Sequence, residues 1–304
     1  MLRVRGVSKV YKGHAKVLSD INMYVGKGEI VGIVGLNGAG KSTLMRAISG
    51  ATDIYGSIMF QGRDIKYIGE NMRKKISFLN TSYNIYQELT VRQNLELFRK
   101  LYHATEEQMN SIIERMGIST YLDKKASELS TGMRKRAEIA CSTMHEFDLL
   151  LLDEPTNGLD IEAKEEVLDY FEKLRNENTS ILITSHNIND IEKLCDIIYI
   201  LKEGKIIKES TVNNLMNEAS ANTNKWIISL YIRPELEEVV KGLGFEYRFK
   251  DNIMEVMVSE EEKQNAIINL ANYQIISINS EITNLEDAIL NIVHGGEDDE
   301  RIAI

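Results

Sequence analysis

Residues 35–43 read GLNGAGKST, and residues 149–160 read LLLLDEPTNGLD. The first stretch has the spacing G-x-x-x-x-G-K-[ST], carried by Gly35, Gly40, Lys41 and Ser42. Glycines there let successive backbone N–H groups turn inward around a phosphate, and a helix start behind them adds partial positive charge. Asn37, Gly38, Ala39 and Thr43 complete the stretch expected to wrap that anion. Lys41 is expected to reach the β- and γ-phosphates of a nucleotide, and the Ser42 hydroxyl to hold Mg2+. A loop of this kind needs a second Mg2+-binding carboxylate at the end of a neighbouring buried strand. Asp153, after four leucines, supplies it, and Glu154 beside it can take the proton from an attacking water.

The elements around these residues suit that task. EIVGIV ahead of the loop reads as a buried strand, and TLMRAISG after Ser42 has helical spacing that stops at Gly50. Residues 1–35 alternate in short β-like pieces, and 56–65 and 75–79 read as further strands. From residue 90 the period becomes helical: Thr90 with Gln93, and Thr105 with Gln108, each fit a capping box. Strands return at 149–153, 181–185 and 197–207 with helices between them, which gives an α/β fold with a largely parallel sheet. Beyond 210 the order is β-α-β-β-α-β, the ferredoxin-like pattern, plus one helix expected to be capped by Thr283 and Glu286.

Charge divides the chain at the same place. Residues 211–304 hold 7 Lys+Arg against 17 Asp+Glu, while the first 210 residues hold 29 of each. Acid concentrated in one segment argues for a boundary near 210 and against general nucleic-acid binding. No stretch approaches the roughly 18 consecutive apolar residues of a membrane helix, and the first residues have no apolar core of signal-peptide type. Cys141 and Cys195 lie far apart without metal spacing, as reduced structural thiols do.

With the phosphate loop and the acidic strand end placed, residues 1 to about 210 resemble an ATP-binding cassette (ABC) ATPase. LSTGM at 129–133 is similar to the family's LSGGQ signature, keeping Leu129, Ser130 and Gly132, with Met133 where a glutamine is usual. DEPTNGLD is similar to the acidic pair and the following loop that ends at Asp160, and ITSH puts His186 where the family has its switch histidine. Tyr11, 30 residues before Lys41, suits the aromatic that stacks on adenine. The resemblance implies a P-loop cassette with a mixed sheet core, an antiparallel β subdomain and a helical subdomain at about 88–145. An α+β domain over 211–294 and an acidic tail over 295–304 would follow it.

It also implies ATP hydrolysis with Mg2+, with Lys41, Glu154 and His186 catalytic and Ser42 and Asp153 on the metal. Two cassettes, identical or closely related, would face each other, so that Ser130, Gly132 and Asp160 act on the partner's nucleotide. One departure is Thr81, which stands where the family usually has a glutamine that touches Mg2+ or water; Gln87 is out of register for that role.

Only 110 residues lie between Ser42 and Asp153, too few for the coiled coils of genome-maintenance members, and a single set of motifs disfavours the two-cassette ribosomal members. The expectation is a transporter subunit, peripheral on the cytoplasmic face of the membrane and docked on a separate permease. LTVRQNLELFRKLY, the variant signature and NLEDAIL resemble bacterial single-cassette exporter ATPases for drugs, antibiotics, lipids and amphipathic peptides. The alternatives are an importer ATPase, or a soluble ATPase of assembly or regulation. For 211–304 the expectation is a dimer-stabilising or regulatory domain without substrate contact.

Overall fold

A computed structural model describes residues 1–11, 16–80, 85–222, 225–280 and 284–294. Two compact units make up the chain, Met1–Thr211 and Val212–Ile304.

The first unit opens with β1 (Leu2–Val10), β2 (Lys16–Val25) and β3 (Ile30–Val34), then α1 (Lys41–Ile48), β4 (Tyr55–Phe60), β5 (Arg63–Asp64), α2 (Glu70–Arg73) and β6 (Ile76–Leu79). Three helices follow, α3 (Val91–Tyr102), α4 (Glu106–Arg115) and α5 (Thr131–Thr143). The unit then alternates through β7 (Leu149–Asp153), α6 (Ile161–Asn176), β8 (Ser180–Thr184), α7 (Ile188–Leu194), β9 (Ile197–Lys202) and β10 (Lys205–Ser210). One sheet has the order β2-β1-β4-β5 and is antiparallel; the other has the order β10-β9-β3-β8-β7-β6. From β9 to β6 the second sheet is parallel, and β10 adds an antiparallel edge.

Every residue of β3, β7 and β8 is buried, as continuous apolar runs in a strand covered on both faces must be. Register pairs Asp153 with Thr184, so β7 and β8 end side by side at the edge where ligands of parallel sheets sit. The antiparallel sheet alternates instead, and its inward Leu2, Val4 and Ile58 join Leu44, Met45 and Ile48 of α1 in one core. Both expected capping boxes are formed: Thr90 with Gln93 opens α3, and Thr105 with Gln108 opens α4.

The stretch 197–207 is a hairpin rather than one strand. Glu203 and Gly204 both take positive φ, 49° and 75°, which is the two-residue turn whose twist matches paired strands. A Lys-Glu-Gly-Lys turn lacks the Asn-Gly or Asp-Gly pair that announces such a reversal.

The second unit runs α8 (Val212–Asn222), β11 (Lys225–Tyr231), α9 (Leu236–Gly242), β12 (Glu246–Lys250), β13 (Ile253–Ser259), α10 (Glu260–Leu270), β14 (Ile275–Ser280) and α11 (Leu285–His294). Its sheet order is β12-β13-β11-β14, all antiparallel, which is the ferredoxin-like arrangement. Ile228, Leu230, Met254, Val256 and Val258 point to one face and pack with Leu236, Val240, Ala266 and Leu270 of α9 and α10. Two helices, not one, are added to that pattern. α8 presents little apolar spacing, with Leu215 fully buried, so periodicity hides it. Thr283, expected to cap α11, lies outside the described residues; Asn284 accepts the Asp287 N–H at 2.9 Å and caps the helix there.

Candidate nucleotide-binding site

Strand β3 delivers the chain into the loop 35–40, and two backbone constraints shape it. Gly38 and Gly40 have φ of 83° and 107°, a region open to glycine and strained for other residues. A Cβ on Gly35 would meet the Leu201 carbonyl oxygen at 2.2 Å, so the β9–β10 hairpin supports the loop from behind. The Gly204 N–H donates to the Ala39 carbonyl at 3.0 Å and completes that support. In front, nothing lies within 4 Å of where a Gly38 Cβ would be. Helix α1 starts without a side-chain cap, which leaves its first N–H groups for a ligand.

Lys41 is buried and curls back over the loop, its Nζ 2.7 Å from the Gly35 carbonyl oxygen. A cavity of about 1160 Å3 opens over it, lined by residues 37–43 and by Tyr11, Glu154 and Glu203. Lys16, Val17 and Gly204 also reach it. Of the expected ligand contacts, Tyr11, Asn37, Gly38, Ala39, Gly40, Lys41, Ser42 and Thr43 thus share one cavity with Glu154. Tyr11 stands under the Lys9 ammonium, which is 4.9 Å from its ring centroid.

At the strand ends, Thr184 Oγ1 donates to Asp153 Oδ1 at 2.6 Å, and the Asp153 carboxylate is buried. Glu154 takes φ 52°, which turns its side chain away from the strand. Its backbone N–H donates to the Thr184 carbonyl at 3.0 Å. Glu154 Oε2 then lies 2.6 Å from His186 Nδ1 and accepts the His186 backbone N–H at 3.1 Å. The Glu154 carboxylate is thereby held by a residue just past the end of the next strand.

Ser130, Gly132 and Asp160 do not reach the cavity. Ser130 and Asp160 are exposed, and each caps a helix: Ser130 accepts from the Met133 N–H at 3.3 Å, Asp160 from the Ala163 N–H at 2.8 Å. Their loops touch one another, since a Cβ on Gly158 would meet Thr131 Cγ2 at 2.8 Å and one on Gly132 would meet Leu159. Thr81 lies outside the described residues. Sequence reasoning missed Glu203, Lys16 and the supporting Leu201 and Gly204; the one available signal, a Glu-Gly turn, is weak.

The donor set fits a Mg2+-nucleoside triphosphate. The N–H-lined loop and the Lys41 ammonium are matched to phosphate oxygens, Ser42 and Asp153 offer hard oxygen ligands, and the cavity has room for a base beside Tyr11. Residues 18–157 match the ABC transporter family. The bacitracin transport ATP-binding protein BcrA of Enterococcus faecalis is 30% identical over 310 residues, spanning 97% of each chain. The lantibiotic transport ATP-binding protein SrtF of Streptococcus pyogenes is 32% identical, over 71% of this chain and 93% of its own. The methionine import ATP-binding protein MetN 1 of Bacillus cereus is 30% identical, over 80% of this chain and 74% of its own. Among solved structures, an ATP-binding subunit of an ABC transporter superposes with a TM-score of 0.66 at 27% identity, over 71% of this chain and 92% of that one. Motif order, site geometry and these likenesses agree: the chain belongs to the ATP-binding proteins of ABC transporters, and is an ATP hydrolase.

Proposed function

We propose that this chain is the ATPase subunit of an exporter for amphipathic peptides, antibiotics or similar membrane-active compounds, acting on a separate permease from the cytoplasmic face of the membrane. Cassettes of the family bind ATP with Mg2+, dimerise and pair with membrane permease subunits. The observation that carries the exporter reading is the likeness to a bacitracin transport protein over 97% of both chains, so that it takes in the second unit as well as the cassette. SrtF, a lantibiotic transport protein, supports the same substrate class. Among the described residues no helix is long and apolar enough to cross a membrane, so the substrate path is assigned to the permease.

In this reading Tyr11 stacks on adenine, the loop from Gly35 to Thr43 holds the phosphates, and Lys41 swings from its carbonyl partners to the terminal one. Ser42 and Asp153 would hold Mg2+, which neutralises phosphate charge when bound. Glu154 takes the proton of the attacking water, and His186 holds that carboxylate in place. Ser130 and Asp160, both exposed, and the half-buried Gly132 lie away from the cavity and suit contacts to the nucleotide of a second cassette. The unit 212–304 is read as a dimer-stabilising or regulatory domain.

The first test is purification of the chain from solubilised membranes of its source cell. A stoichiometric polytopic membrane protein is expected; purely soluble companions would sink the transporter reading. Glu154→Gln should lower ATP turnover by a factor of about 100 or more while ATP still binds, and should trap an ATP-dependent dimer on a sizing column. The likeness to MetN supports an importer as second reading. Cell-associated amphipathic peptide that rises when Lys41→Ala replaces the wild type speaks for export, and a fall speaks for import.

A further inference from the structure

Asp190 is fully buried in the first turn of α7 and belongs to no motif described so far. Its carboxylate has two partners from different segments. Thr156 Oγ1, two residues after Glu154, donates to Asp190 Oδ2 at 2.5 Å. The Lys164 ammonium, in the first turn of α6, lies 2.5 Å from Asp190 Oδ1, as an ion pair without directed hydrogen-bond geometry. Thr156 is itself buried, and the Lys164 side chain is one-fifth exposed.

The pairing closes a ring. Glu154 and His186 are joined at one end, and Thr156 and Asp190 at the other, so the segments 154–156 and 186–190 are bonded to each other twice. Either bond alone would leave its segment free to rotate about the other; two bonds fix the relative position of the segments. Lys164 matters because a carboxylate with no access to water is strongly disfavoured unless a cation compensates it. It also ties the ring to α6, whose cap is Asp160.

We propose that Asp190, with Thr156 and Lys164, is a positioning residue for hydrolysis: it holds His186 against Glu154 and links that pair to the loop 157–160. The inference rests on the reading of Glu154 and His186 as the hydrolytic pair. A small displacement of a reacting group costs large factors in rate while leaving nucleotide contacts made elsewhere intact.

The test compares full-length wild type, Thr156→Val, Thr156→Ser and Glu154→Gln in steady-state ATP hydrolysis, with folding checked by circular dichroism. Thr156→Val keeps the volume and removes the hydroxyl. It is expected to lower kcat roughly tenfold or more with KM for ATP within about twofold of wild type. Thr156→Ser restores the donor and should return kcat to within about threefold. If valine disturbs the fold, Thr156→Ala removes the same hydroxyl without adding volume and is read identically. An unchanged kcat in Thr156→Val, or a serine variant as slow as the valine one, overturns the positioning role. Full hydrolysis by Glu154→Gln would instead overturn the underlying assignment of the hydrolytic pair, so the two failures are told apart.

Discussion

His145 shows how much a single buried ring can say about pH. It stacks on Tyr102 at 3.9 Å between centroids, and its Nε2 lies 3.1 Å from the Lys74 carbonyl oxygen. A carbonyl only accepts, so Nε2 carries the proton; Nδ1 is buried without a partner, and the ring is neutral. Burial pushes its pKa down to about 4, against the Lys74 carbonyl that favours the cation and with the nearby Lys75 and Lys74 charges that oppose it. Because the folded value lies below the ordinary 6.5, the unfolded chain binds the extra proton first. Stability therefore falls as pH drops through 6.5 and stops falling from this source below about 4. Between pH 8 and pH 5 the wild type should lose about 2 kcal/mol more than His145→Phe, read from urea unfolding at the two pH values. Equal losses would show that the ring titrates normally. None of this is legible in sequence, where His145 is one polar residue before an apolar strand. Lys41, Asp153 and Glu154 could be singled out there as candidates because phosphate-binding chemistry demands fixed spacing within one loop or one strand end, and the structure places Lys41 and Glu154 on one cavity with Asp153 beside Glu154.

At the scale of elements, what reads well is what is local. The boxes Thr90–Gln93 and Thr105–Gln108 each bring together residues three apart, and both are made as their types require. Thr105→Ala should cost about 1 kcal/mol of stability through the lost cap of α4, visible as a lower melting temperature. Thr90→Ala should cost about as much, through the lost cap of α3. At α11 the described residues show Asn284 accepting the Asp287 N–H, while Thr283, expected there from its spacing to Glu286, lies outside them. At the β9–β10 reversal pattern fails, since Glu203 accepts a left-handed backbone only in exchange for the sheet pairing on either side. The ring through Thr156, Lys164 and Asp190 joins residues up to 34 positions apart and has no spacing to betray it.

At the scale of the molecule, each unit has a core of its own. Ile228, Leu230, Met254, Val256 and Leu270 are buried among residues of 212–304 alone, so that segment expressed by itself should melt cooperatively by circular dichroism. A chain truncated after 211 should keep ATP binding and lose dimer stability or its regulation; unchanged dimerisation and turnover would end the dimer-stabilising or regulatory reading of 212–304. The sandwiching of residues 35–40 against Leu201 and Gly204 has a bearing on synthesis as well. A nascent chain emerges with its phosphate loop early but with the backing for that loop almost last of the cassette. Until the hairpin at 203–204 leaves the ribosome, the loop has no rear wall, and the growing polypeptide should be blind to ATP.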